Sequence, residues 1–126
     1  MLSKQGFQEV VLLIGYKGEM IIEYCGDGSQ WGLSLNFIKE KSALGTSGSV
    51  KAATGALQGD DFLVLYGDVM MDMDLLGLVE FHKKSNAEAT LVIHPNDHPH
   101  DSDLVEIDGN GRIKSWLPKS NRKPSI

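Results

Sequence analysis

Glu9-Val10-Val11-Leu12-Leu13-Ile14 is apolar at every position after the first, and Gly15 stops it. An apolar run without alternation reads as a strand covered on both faces, the habit of a parallel sheet. Working outward, residues 18–24 carry a short amphipathic helix that ends at Gly26-Asp27-Gly28. Residues 31–39 read as the next strand, with Leu33, Leu35 and Phe37 on one face. The small-residue loop Gly45-Thr46-Ser47-Gly48 opens a helix in which Val50, Ala53, Thr54 and Leu57 keep helical spacing. Phe62-Leu63-Val64-Leu65-Tyr66 is the strongest strand candidate after the first, closed by Gly67-Asp68. Asp74 is placed to cap a helix striped by Leu75, Leu78, Val79 and His82. Residues 89–94 read as another strand ended by Pro95, and residues 104–107 and 113–117 as two strands joined through Asp108-Gly109-Asn110-Gly111. Strands alternating with helices predict βαβ units and an α/β, mostly parallel sheet. Ligands of such sheets bind at the carboxyl ends of the strands, which puts the Gly45-Thr46-Ser47-Gly48 loop and Gly67-Asp68 on one rim.

The 126 residues are enough for one core, so a single domain is predicted over residues 1–126, with the polar stretch 118–126 as a flexible tail. Apolar residues at 41% and charged residues at 23% exclude a disordered or collagen-like chain. No apolar run approaches the ~20 residues of a membrane helix, and residues 1–6 lack the apolar centre of a signal peptide. The single cysteine, Cys25, excludes an internal disulfide framework and fits a reducing cytoplasm. Twelve Lys and Arg against seventeen Asp and Glu give a net charge of -5, which repels a nucleic-acid backbone. Small anions stay admissible, because local dipoles and one or two lysines suffice for them.

The Gly45-Thr46-Ser47-Gly48 loop enters a helix, so its backbone amides and the positive end of the helix dipole point outward, and glycine lets a ligand come close. The loop is neither a G-x-G-x-x-G motif nor a P-loop, and an ordinary turn with a Ser or Thr cap accounts for it equally well. Asp68 is placed to face a ligand or hold a hard cation such as Mg²⁺, or simply to make the turn. Asp72 reads as solvated and Asp74 as a cap. His94, His98 and His100 with Asp97, Asp101 and Asp103 invite a metal-binding reading, but their spacing matches no zinc template, and a solvated loop fits better. His82 reads as a packed, hydrogen-bonded side chain, and Cys25 has no activating base beside it. From the residues alone, the chain is an α/β domain that binds a small anionic ligand at its rim.

Taken in order, Gly6-Phe-Gln-Glu-Val-Val-Leu-Leu-Ile-Gly-Tyr16, Tyr24-Cys-Gly-Asp-Gly28, Leu44-Gly-Thr-Ser-Gly48, Phe62-Leu-Val-Leu-Tyr-Gly-Asp68, Glu80-Phe-His82 and Gly111-Arg-Ile113 resemble the sugar nucleotidyltransferase family. The resemblance runs from about Gly6 to Lys119. It implies a Rossmann-like sheet of the nucleotide-diphospho-sugar transferase type and the reaction of an NTP with a sugar 1-phosphate to give an NDP-sugar and pyrophosphate. The stretch from His94 to Asp108 is similar to the branch that uses GTP with mannose 1-phosphate or heptose 1-phosphate, and within it His98-Pro-His-Asp-Ser-Asp-Leu-Val105 looks most like the heptose 1-phosphate guanylyltransferases. On matched positions, the resemblance makes Asp68 one of two aspartates holding a catalytic Mg²⁺. It lays Gly48 against the nucleotide and sugar, with Gly45 and Thr46 shaping the turn, and makes Gly45, Thr46, Ser47, Gly48, Gly67 and Asp103 the expected substrate-binding residues. Lys119 matches the lysine that reaches the sugar phosphate.

Two departures touch the sugar site. Ser102-Asp103 stands where the family has Tyr-Gly, so Asp103 either accepts from sugar hydroxyls or faces water, and Pro118 replaces the glutamate before the phosphate lysine. The family also begins with a strand and a Gly-rich, Arg-bearing loop that cradles the triphosphate, and carries its second metal aspartate much later. Neither is found here, so the chain is expected to lack the first strand, to be a piece of an enzyme that is nearly inactive alone, and to form homodimers through unpaired sheet edges. The competing expectations are a non-catalytic sugar-phosphate-binding or oligomerisation module derived from that family, and a metal-binding domain built on the histidine loop.

Overall fold

Val10 to Ile14 does form a strand, and its partner lies parallel to it. In a computed structural model, which describes residues 1–40, 42, 44–57, 61–95, 97 and 102–119, β1 (Glu9–Ile14) is followed by α1 (Gly18–Cys25), β2 (Ser34–Lys39), α2 (Gly45–Ala53) and α3 (Leu75–Ser85), then by β3 (Leu104–Ile107) and β4 (Ile113–Leu117). The chain divides into two compact units, Met1–Ser85 and Asn86–Ile126. No helix among the described residues is long and apolar enough to cross a membrane.

In the first unit, β1 and β2 pair in parallel with Val10 opposite Leu35 and Leu12 opposite Phe37. The ladder is closed at its ends by Ser34 N–H donating to Gln8 O at 2.7 Å and Glu40 N–H to Ile14 O at 2.9 Å. In a parallel ladder alternate residues turn both peptide groups to the same neighbour. Val10, Leu12 and Ile14 therefore face β2, while the peptide groups of Glu9, Val11 and Leu13 face the other way. α1 packs on β2 and α2 on β1. The expected second strand begins three residues late, because Trp31 is held in a 3₁₀ turn (Ser29–Trp31) by its N–H bond to Gly28 O at 2.9 Å, and its ring meets Tyr24 at 5.8 Å. α2 stops at Ala53 short of Leu57, where the Thr54 hydroxyl donates to Lys51 O at 2.8 Å and competes with the helical ladder.

The buried apolar side chains among the described residues are Ile14 at the end of β1, Ala53 at the end of α2 and Leu75 at the start of α3. Gln5 ties down that last position: its side-chain amide donates to Met73 O at 3.0 Å and accepts from Leu75 N–H at 2.8 Å. Asp74 caps α3 as expected, accepting from Gly77 N–H at 2.9 Å.

Two expected strands are corrected. Residues 62–66 and 89–94 belong to no ladder among the described residues. Phe62 at 50% and Tyr66 at 59% exposure show why: an apolar β-branched stretch becomes a strand only where a neighbour meets its peptide groups and covers its face. In the second unit the expected hairpin is present, with β3 and β4 antiparallel, Leu104 opposite Leu117, and an irregularity between Glu106 and Ile107.

Candidate functional site

α2 opens on the loop singled out in the sequence. Gly45 adopts φ +68°, a left-handed conformation that a side chain would strain, and turns the chain into the helix. Leu44 occupies the N-cap and supplies no side-chain acceptor, so the reading of a turn capped by Ser or Thr does not hold. Thr46 and Ser47 are exposed, and the Ser49 hydroxyl bonds back to Gly45 O at 2.8 Å rather than to the first-turn amides. The first turn therefore presents N–H groups without a side-chain partner at the positive end of the helix. At Gly48 a Cβ would lie 2.7 Å from Leu44 Cβ, which sits beside the backbone and cannot swing away, so this first turn closes against Leu44 only with glycine there.

In the same unit, Gly67 and Asp68 lie in an exposed turn after residues 62–66, with Val69 N–H donating to Tyr66 O at 3.3 Å. Asp74 is engaged as the α3 cap and Asp72 is exposed. Among the described residues no group of three His, Cys, Asp or Glu side chains converges. The carboxylate of Asp68 is exposed and could contribute to a Mg²⁺ held chiefly by substrate phosphates and water, and no group of three such side chains among the described residues forms an all-protein cage. An open cavity of about 500 Å³ follows Asp68 in the chain, lined by Met1, Val69, Met70, Met71 and Asp72. Its lining contains none of the residues expected at the site.

In the second unit the structure brings together two residues that the sequence singled out separately. Asp103 precedes β3, Lys119 follows β4, and the Lys119 backbone N–H donates to Asp103 Oδ1 at 2.8 Å. One carboxylate oxygen of Asp103 is therefore committed to the protein, and the choice between a sugar contact and plain solvation concerns the other. At the opposite end of the hairpin Asp108 Oδ1 accepts from Asn110 N–H at 2.8 Å and Arg112 N–H at 2.9 Å. These bonds, the one from Arg112 foremost, hold the Asp108 carboxyl below its ordinary value.

Of the histidine loop, His98, His100 and Asp101 lie outside the described residues, while His94 Nδ1 sits 2.8 Å from Pro95 O. His82 pairs with Asp61 at 3.5 Å, in keeping with a packed, partnered histidine, and Cys25 is half-buried. Gln5 was not legible as a structural residue, because its partners Met73 and Leu75 are some seventy positions away and no local pattern announces them.

A family profile described as Nucleotidyl transferase matches residues 1–125. The chain is 31% identical over 124 residues to a mannose-1-phosphate guanylyltransferase of Mycobacterium tuberculosis, covering 98% of this chain and 34% of that protein. It is 35% identical over 122 residues to a mannose-1-phosphate guanyltransferase of Yarrowia lipolytica, with 94% and 34% covered. It is also 36% identical over 94 residues to a D-glycero-alpha-D-manno-heptose 1-phosphate guanylyltransferase of Aneurinibacillus thermoaerophilus, with 75% and 40% covered. The chain thus spans about a third of the length of the curated relatives it matches.

Proposed function

The chain belongs to the nucleotidyl transferase family, and from that membership we propose that it forms part of a sugar 1-phosphate guanylyltransferase, taking GTP with mannose 1-phosphate or heptose 1-phosphate. The observation that carries this reading is the N-terminus of α2: first-turn amides without a side-chain cap, in a turn that Gly48 lets close against Leu44. Such a helix end favours phosphate by hydrogen bonding and by its dipole together.

In the reaction, an oxygen of the sugar phosphate attacks the α-phosphorus of GTP, a new P–O bond forms, and the bond to pyrophosphate breaks. Little covalent chemistry falls to the protein, so its task is positioning and charge neutralisation. The amides of residues 45–47 orient phosphate oxygens, and Gly48 admits the nucleotide against the backbone. The Lys119 ammonium offsets the charge of the sugar phosphate, with its backbone placed by Asp103. The uncommitted oxygen of Asp103 accepts from a sugar hydroxyl. Asp68 is the residue that would hold Mg²⁺, which supplies charge neutralisation at the reacting phosphates. With one free cysteine, the chain suits the reducing cytoplasm.

A second reading is a sugar-phosphate-binding module without turnover, to which the uncapped first turn of α2 is equally suited. On either reading the isolated chain is expected to turn over little. Isothermal titration with GTP, GDP-mannose and mannose 1-phosphate, with and without Mg²⁺, tests the site. Gly48→Ala should weaken GTP about tenfold, equivalent to ~1.4 kcal/mol, and Asp68→Ala should abolish the Mg²⁺ dependence. Binding unchanged in both variants would remove the site from these residues, and pyrophosphate release in the same samples separates the enzyme from the binding module.

A further inference from the structure

We propose that Gln5 is a positioning residue for the Mg²⁺ aspartate: its side-chain amide holds the far end of the short segment that carries Asp68. The inference rests on the reading of Asp68 as the residue that would hold Mg²⁺, and adds to it a side chain distant along the sequence.

The Gln5 amide works as a detached peptide group. Its Nε2 donates to Met73 O at 3.0 Å and its Oε1 accepts from Leu75 N–H at 2.8 Å, so the two bonds straddle Asp74. They differ in what they hold. Leu75 opens α3 and is fully buried, so its bond belongs to the helix. Met73 lies ahead of the helix, on the side of Asp68, so its bond belongs to the connecting segment.

That segment is short enough to transmit the hold. Val69 N–H donates to Tyr66 O at 3.3 Å, which closes the turn containing Gly67 and Asp68. Met70, Met71 and Asp72 alone separate this turn from Met73. A trans chain advances at most about 3.6 Å per residue, so a displaced Met73 carbonyl leaves few torsions to absorb the shift before it reaches the turn. On the upstream side, His82 of α3 pairs with Asp61 at 3.5 Å, so the stretch is tied from both ends.

The base of the clamp is fixed as well. Gln5 ends a 3₁₀ turn, Ser3–Gln5, closed by Gln5 N–H to Leu2 O at 2.9 Å and Gly6 N–H to Ser3 O at 3.1 Å. Just beyond it, Gln8 O accepts from Ser34 N–H at 2.7 Å, which joins the turn to the β1–β2 ladder. Mg²⁺ demands near-ideal octahedral geometry, so a carboxylate on an exposed turn serves it only where the turn is held in place. The bond between Val69 and Tyr66 shapes the turn; the bond from Gln5 to Met73 places it.

Gln5→Glu separates the two bonds. An ionised carboxylate only accepts, so it keeps the Leu75 bond and sets an oxygen against Met73 O where a donor stood. Slow hydrogen exchange at Leu75 should survive in this variant, while the amide signals of Val69 to Met73 move as a set. In isothermal titration with GTP over a Mg²⁺ series, the Mg²⁺ midpoint should rise about tenfold, the low end of what outer partners contribute to a metal site. Amide signals that move only at Met73 and Asp74 would overturn the proposal. So would a Mg²⁺ midpoint equal to the parent's when Asp68→Ala abolishes the Mg²⁺ dependence. A parent without Mg²⁺ dependence, or one that keeps it in Asp68→Ala, overturns the Mg²⁺ reading itself and the positioning role with it.

Discussion

The backbone N–H of Lys119 donates to the carboxylate of Asp103, 2.8 Å away across the open end of the β3–β4 hairpin. The two residues flank the last cross-strand pair, Leu104 with Leu117, so the contact fixes where the chain leaves β4. A lysine whose backbone is pinned has fewer conformations to lose when its ammonium meets a phosphate.

Asp103→Ala should therefore weaken mannose 1-phosphate several-fold and speed hydrogen exchange at the Lys119 amide. Asp103→Asn keeps an acceptor and should restore slow exchange. The pair of variants separates placement of Lys119 from direct sugar contact: if Asn restores the exchange but not the affinity, Asp103 touches the sugar itself.

Gln5 serves both a donor and an acceptor flanking Asp74. Gln5→Ala leaves the part-buried Leu75 N–H without its acceptor, a loss of about 1–3 kcal/mol. Gln5→Glu keeps the acceptor and should cost less. Thermal unfolding of the two variants checks the order, and an Ala variant as stable as the parent would mean that water replaces the amide.

Leu75 is fully buried in a unit whose apolar core is small. Leu75→Ala should lower stability by about 2–5 kcal/mol, the range for truncating a core leucine. Denaturant unfolding measures it, and a change under about 1 kcal/mol would show that the site collapses around the smaller side chain.

The Asp108 carboxyl is held below its ordinary value by the Arg112 and Asn110 amides. A depressed folded-state value contributes stability that is fully present above the unfolded value, about 3.9, and is lost as pH falls through the folded one. The amide shifts of Asn110 and Arg112 should then titrate together with a midpoint below that of an unfolded aspartate. Asp108→Asn should remove the titration, and a midpoint at the ordinary carboxylate value would contradict the bonding.

Much was legible where the signal is local. The unbroken apolar run of β1, the glycine-punctuated start of α2, the Asp74 cap and the Asp108-Gly109-Asn110-Gly111 turn each depend on residues within a few positions of one another, and each appears where its pattern predicts. The family was legible too, because six short motifs in a fixed order are improbable together even when each is soft alone.

For residues 62–66 and 89–94 pairing was not legible. Residues 62–66 have the composition of a strand, yet composition supplies only the capacity to pair; the ladder requires a neighbour at ~4.8 Å that meets every other peptide group. The same non-local condition hid Gln5 from Met73 and Leu75, and Asp103 from Lys119. The sequence by itself determined the local elements and the chemistry available on them, since periodicity, caps and turns are short-range. Only the tertiary structure decided which edges are joined and which carboxylate is already committed, because those depend on contacts between residues that are distant along the chain.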